Sequence, residues 1–278
     1  MPIHDQGYRR YAGVRARPGR AWWIIARMHI VAALRRRWFL VLLTLGWVQF
    51  VGRAGIIVVN STFQQIPGLE MTAESFRNFL VGQSFFVFII AIAMGGLIAD
   101  DRRANALQLY LSKPLTRTEY ILGKAAPLLA FILFVTFLPA ILLLLVQIIF
   151  AGSTSFVMNN LFLLPAITLA TLVRALLTTF TILALSSLSK SRRFVAVMYA
   201  GVIFFTSSMQ QVLRQITGSR AWAAISPSSM VDVITDAVFR VRAQPPVPVP
   251  VAILVVVALI ALTLWVLERR IRPVEIVA

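Results

Sequence analysis

The chain has 278 residues, of which 59% are hydrophobic and only 13% charged. A soluble surface, where about a quarter of residues carry charge, is excluded by that balance, and a bilayer is the solvent it implies. The 27 Lys plus Arg against 10 Asp plus Glu leave a formal charge of +17, and there is no cysteine. Disulfide frameworks, thiolate zinc sites and cysteine nucleophiles are thereby ruled out. A histidine metal cluster is also excluded, because the two histidines, His4 and His29, are all the chain has.

In chain order, the segment from Ala21 to Leu34 comes first, before any long apolar run. Its Trp22, Ile25, Ile30 and Ala33, with Arg27 and Arg35 to Arg37 at the boundary, predict an interfacial helix lying on the inner leaflet. Residues 1–37 form a basic cytoplasmic tail, too long and too basic for a cleavable signal peptide. Six apolar runs long enough for a hydrocarbon core of about 30 Å follow. They are Trp38 to Val59, Phe79 to Ile98, Ala125 to Phe150, Leu161 to Leu188, Phe194 to Leu213 and Pro250 to Leu267. The predicted fold is therefore an all-α polytopic membrane protein with six transmembrane helices.

The cations are sorted by the parity of these runs. Alternating sides put 20 Lys plus Arg on one side and five on the other, with Arg53 and Arg174 inside runs. A nucleic-acid binder has no reason for that pattern, whereas the positive-inside rule demands it, so both termini are expected in the cytoplasm of a cell with the protein in its plasma (inner) membrane.

Residues 99–124, between the second and third runs, are the most informative stretch. Ala104, Leu107 and Leu111 recur at helical spacing behind Asp100 and Asp101, where a helix dipole favours carboxylates. Ser112-Lys113-Pro114 breaks that helix, and Thr116 to Glu119 forms a capping box that starts the next. An apolar stripe on a cytoplasmic connector predicts a partner surface.

Those residues carry a family resemblance. Gly95-Gly96-Leu97-Ile98-Ala99-Asp100-Asp101-Arg102-Arg103, Leu107, Leu111 to Arg117 and Glu119 to Lys124 resemble the loop between the second and third spans of ABC-2 type transporter permease subunits. The departure is Asp-Asp-Arg-Arg-Ala-Asn where many members have Glu-Arg-x-x-Gly-Thr. The resemblance implies a cytoplasmic coupling helix and a permease that forms the translocation pathway of an exporter. It also implies a separate ATP-binding-cassette ATPase subunit, docked on Asp100, Asp101, Arg102, Arg103, Leu107, Leu111, Pro114, Arg117, Glu119 and Lys124, and a second copy or related permease. ATP and Mg would sit on the partner. The sequence agrees in having no G-x-x-x-x-G-K-[ST] phosphate loop, so no catalytic residue is expected in this chain. A membrane scaffold or assembly factor without transport shares the same composition and topology.

Inside the runs there is no carboxylate, which argues against proton- or sodium-coupled transport. Arg53 is close enough to the outer end of its run to snorkel. Arg174 sits near the middle of the fourth run and needs a partner. Either an anionic substrate or lipid headgroup meets it in a cavity, or the run breaks between Pro165 and Val173. Gln147 is a second polar group on the possible pathway. In the extracytoplasmic segment 214–249, Ser226 and Pro227 predict the start of a helix with Met230, Val233, Ile234 and Val238 on one face. That helix lies on the outer surface or dips into the exit.

Overall fold

The computed structural model describes residues 21–62, 72–106, 116–150, 160–241 and 245–271. Among these the chain is all helix. The helices are α1 (Ala21–Leu34), α2 (Arg37–Thr62), α3 (Ala73–Gly82), α4 (Ser84–Met94), α5 (Ala99–Arg103), α6 (Arg117–Phe150), α7 (Leu163–Leu188), α8 (Arg192–Thr217), α9 (Pro227–Val238) and α10 (Val249–Arg270). A 3₁₀ turn, Arg220–Ile225, joins α8 to α9. Leu107, Leu111 and Pro114, three residues of the expected partner surface, lie outside the described residues.

Among the described residues, six stretches are long and apolar enough to cross a membrane: Arg37–Ser61, Ala73–Arg103, Arg117–Phe150, Leu163–Leu188, Arg192–Thr217 and Val249–Arg270. The second differs from the continuous run expected over 79–98. It starts six residues earlier, where Thr72 caps α3 by accepting from the Ser75 backbone N–H, and it is interrupted at Gln83. That side chain is fully buried and donates from Nε2 to the Gly46 carbonyl of α2 at 3.0 Å. A buried amide bonded to a neighbouring backbone explains why a polar residue interrupts an otherwise apolar stretch.

Three apolar clusters hold the bundle. The largest joins α1, α2, α4, α6, α7 and the end of α10, with the Phe39 and Phe131 rings edge to face at 4.9 Å. A second joins Phe76 and Phe79 of α3 to Ile57, Leu143 and Leu163 at the far ends of α2, α6 and α7. The third packs Met230, Val233 and Ile234 of α9 against Leu177 of α7 and Ala252 and Val256 of α10. Two glycines mark close crossings onto α6. A Cβ at Gly46 would fall 2.6 Å from Val135, and one at Gly123 would fall 2.9 Å from Ile25, so α2 and α1 both lie directly against α6. Pro127 and Pro139 are buried within α6, which is assigned as one helix through both. Neither ends it, because in a spanning helix neighbouring segments re-satisfy the carbonyls that proline leaves free.

The α1 helix has apolar residues on both sides. Ile25, Ala26 and Ala33 are buried against the bundle, while Trp23, Ile24, Met28, Val31 and Leu34 are exposed. The starts of α2, α6 and α8 and the ends of α7 and α10 gather around α1 and α5 on one side of the bundle. This is the basic face, and α9 lies towards the other.

Candidate functional site

On the basic face a buried polar knot joins α1, α5 and α6. The Lys124 ammonium is fully buried and lies 2.6 Å from the Asp101 carboxylate, whose Oδ2 also accepts from the Tyr120 hydroxyl at 2.8 Å. The second contact of Lys124 is His29 Nε2, at 2.8 Å. The ammonium can only donate, so His29 Nε2 accepts and its other nitrogen carries the proton. Burial, and then the Lys124 charge, push the His29 pKa down to about 4, against an opposing pull from Asp101. The imidazole is therefore neutral at physiological pH.

Local sequence positions each member of the knot. The capping box expected at Thr116 is formed, with the Thr116 N–H donating to Glu119 at 3.0 Å and the Glu119 N–H donating to the Thr116 hydroxyl at 3.2 Å. That fixes the start of α6 and hence the face bearing Tyr120, Gly123 and Lys124, three and four residues apart. The α4 to α5 turn is held from α7, whose Ser186 hydroxyl accepts from the backbone N–H groups of Ile98 and Ala99 at 3.2 and 3.0 Å. Arg102 donates to the Ser187 carbonyl, and Arg192 of α8 donates to the Ala93 carbonyl.

The predicted partner-surface residues therefore divide. Arg103 and Arg117 are exposed; Asp100, Asp101, Arg102 and Glu119 are half-buried; Lys124 is wholly internal. Lys124 does not reach a surface, and what it does is tie α6 to α5 and α1.

Nearer the other face, two ion pairs fasten α9. Asp232 pairs with Arg174 of α7 at 2.8 Å, and Asp236, one turn on, pairs with Arg77 of α3 at 2.6 Å. Arg174 also donates to the Ser84 hydroxyl at the start of α4. From Leu163, the first residue of α7, Arg174 is eleven residues along, about 16 Å into the helix. The helix is continuous there, so the expected break between Pro165 and Val173 does not occur. Nor is an external anion required as the partner. The sequence places all carboxylates outside the runs, and that remains true, but α9 folds back between α7, α8 and α10 and delivers one. Ser226 caps α9 and Pro227 starts it, as expected.

Arg53 donates to the Ser75 carbonyl in the first turn of α3 at 2.5 Å and sits over the Phe79 ring at 5.7 Å. Beside Arg174 is a mainly apolar cavity of about 120 Å³, bounded by Phe88, Leu177, Thr178, Tyr199, Ile203 and Val231. Gln147 is half-buried three residues before the end of α6 and does not line it. Asp232, Asp236 and Arg77 are site residues that sequence reasoning missed. The available signal was the i, i+4 spacing of two carboxylates on an amphipathic helix, together with an intramembrane arginine whose own run holds no carboxylate.

A bundle of six long apolar helices with a polar knot at one end and a latched, inserted helix towards the other defines a polytopic membrane protein built to span a bilayer. Residues 23–270 match the family described as ABC-2 family transporter protein. The chain belongs to that family and is the membrane-spanning permease subunit of an ABC transporter. Among curated proteins, no sequence matches it.

Proposed function

We propose that this permease exports its substrate and is driven by a separate ATPase subunit docked on the basic face around α5 and the start of α6. The basic face is cytoplasmic in this reading, because 20 of 27 cations sort to it. The chain itself hydrolyses nothing. ATP and Mg belong to the partner, and a second copy or a related permease completes the pathway.

The observation that carries the reading is the Asp101–Lys124–His29 knot. A push on the exposed residues Arg103 and Arg117 is delivered through a buried ion pair to α6, and through His29 to α1, as a rigid unit. Movement of α6 and of α7, which is tied to α5 through Ser186, would then alter the cavity beside Arg174. This is coupling of the hinge and shear kind.

Copurification from native membranes, followed by an ATPase assay, tests it. The expected result is an ATP-binding-cassette subunit whose hydrolysis is uncoupled by Leu107→Asp with little effect on insertion. If no ATPase copurifies, the scaffold reading takes its place.

A further inference from the structure

The few cations on the side opposite the basic face are not scattered. By sequence that side holds five, Arg77, Arg214, Arg220, Arg240 and Arg242, and three of them, Arg77, Arg214 and Arg220, line one cavity of about 350 Å³. Topology does not explain this, because the positive-inside rule disfavours arginine in that position. Their convergence on one cavity calls for a local reason.

The charge balance inside the cavity supplies one. Among the described residues, its wall carries three arginines and a single carboxylate residue, Asp232. That carboxylate is paired with Arg174, and Arg77 is paired with Asp236. Among the described residues, no carboxylate forms an ion pair with Arg214 or Arg220. The two are exposed and flank the Thr217 to Gly218 turn, Arg214 three residues before it and Arg220 two residues after, where Gly218 takes a left-handed φ of 68° that closes α8 and turns the chain towards the 3₁₀ segment. Gln210 and Ser229 line the same wall. The Ser229 hydroxyl donates to Gln210 Oε1 at 2.5 Å, which orients that amide and leaves its NH₂ to donate. Two guanidinium forks, each able to bind two oxygens, and an amide donor form a receptor for a tetrahedral oxyanion. The Arg174–Asp232 pair is the partition between this basic cavity and the apolar one beside Tyr199, since Arg174 lines the second and Asp232 the first.

We propose that Arg214 and Arg220 form a binding site for a phosphate-type anion, such as the phosphodiester headgroup of an anionic amphiphile, at the outer mouth of the permease. The adjoining apolar cavity suits the amphiphile's hydrocarbon part. Only the naming of this side as outer rests on the proposed topology; the site does not depend on the ATPase.

The test uses the purified full chain in neutral detergent micelles without nucleotide or partner. Dihexanoyl phosphatidylglycerol is titrated while tryptophan fluorescence is followed, with Trp222 as the local reporter, since it lies in the 3₁₀ turn two residues from Arg220 and donates to the Thr217 hydroxyl at 2.7 Å. Saturable binding is expected, with the signal lost in Trp222→Phe. The Arg214→Gln/Arg220→Gln variant should bind at least about tenfold more weakly, with an unchanged melting temperature because both residues are exposed. Arg214→Lys/Arg220→Lys, which keeps the charge but loses the forks, should fall between the two. Displacement by inorganic phosphate would make the free anion sufficient, whereas lipid binding that phosphate leaves in place would assign the site to the lipid. Equal binding of the phosphate-free dihexanoylglycerol, or unchanged affinity in the double glutamine variant, would overturn the proposal. Neither result bears on ATPase coupling, which fails or stands by copurification.

Discussion

The Lys124 ammonium, with none of its surface exposed, lies 2.6 Å from the half-buried carboxylate of Asp101. Neither charge is tolerable there without the other. Removing one partner of such a pair leaves an uncompensated charge and costs about 3–5 kcal/mol, whereas replacing both with apolar groups can be nearly neutral. Asp101→Asn should therefore lower thermal stability strongly, and Lys124→Met/Asp101→Leu should recover most of it. The recovered double variant should still show at least about a tenfold loss of coupled turnover, because its link between α5 and α6 is no longer directional. Full coupling in a stable double variant would show that the knot serves stability alone.

The pH dependence of the same knot has a definite sign. His29 has its folded pKa lowered to about 4 from an unfolded value of 6.5, so below pH 6.5 the unfolded chain takes up a proton that the folded chain refuses. Its contribution to stability is complete above that pH and is lost as the pH falls from about 6.5 to about 4, at no more than about 1.4 kcal/mol per pH unit. Melting temperatures across this window should fall less steeply in His29→Gln than in the parent chain.

Arg174 and Asp232 should behave as a pair and not as a lone cation awaiting substrate. Arg174→Gln and Asp232→Asn should each destabilise by about 1–2 kcal/mol, the lower part of the range for a hydrogen bond between charged groups, because the Asp232 side chain is 37% exposed. The double variant should cost clearly less than the sum of the two. Additive losses in a double-mutant cycle would mean that the 2.8 Å contact carries no energy.

Gly123 is the point where α1 meets α6. A side chain there would meet Ile25 and the Trp22 carbonyl, so Gly123→Val should destabilise by about 1–3 kcal/mol through overpacking and should loosen α1, as read by proteolysis near Trp22. Gly52 is the control. Nothing lies within 4 Å of a Cβ placed on it, and Gly52→Ala, in the middle of a helix, should stabilise by about 0.5–1 kcal/mol.

Most of the architecture could be read from the sequence because it follows from one-dimensional quantities. Run length against bilayer thickness predicted six spans, and the helices Arg117–Phe150 and Leu163–Leu188 include the runs expected apart from one or two residues at an end. Local capping chemistry predicted the starts of α6 and α9, because Thr116 to Glu119 and Ser226-Pro227 act within four residues. What could not be read locally is which polar groups meet. Arg174 and Asp232 are 58 residues apart and Lys124 and His29 are 95 apart, and nothing in the spacing of either pair encodes the contact. The interruption at Gln83 is of the same kind, since its partner is a backbone carbonyl on another helix.

By itself, then, the sequence determined the solvent, the number of spans and the sidedness expected from its cations, because hydropathy and charge act residue by residue on a chain entering a bilayer. Only the tertiary structure decided that Arg174 is neutralised from within, that Lys124 is an internal tie and that three arginines on the sparsely charged side share one cavity. Those outcomes depend on α9 folding back into the bundle and on α1 crossing α6 at Gly123, and such packing is settled by the whole set of apolar contacts at once.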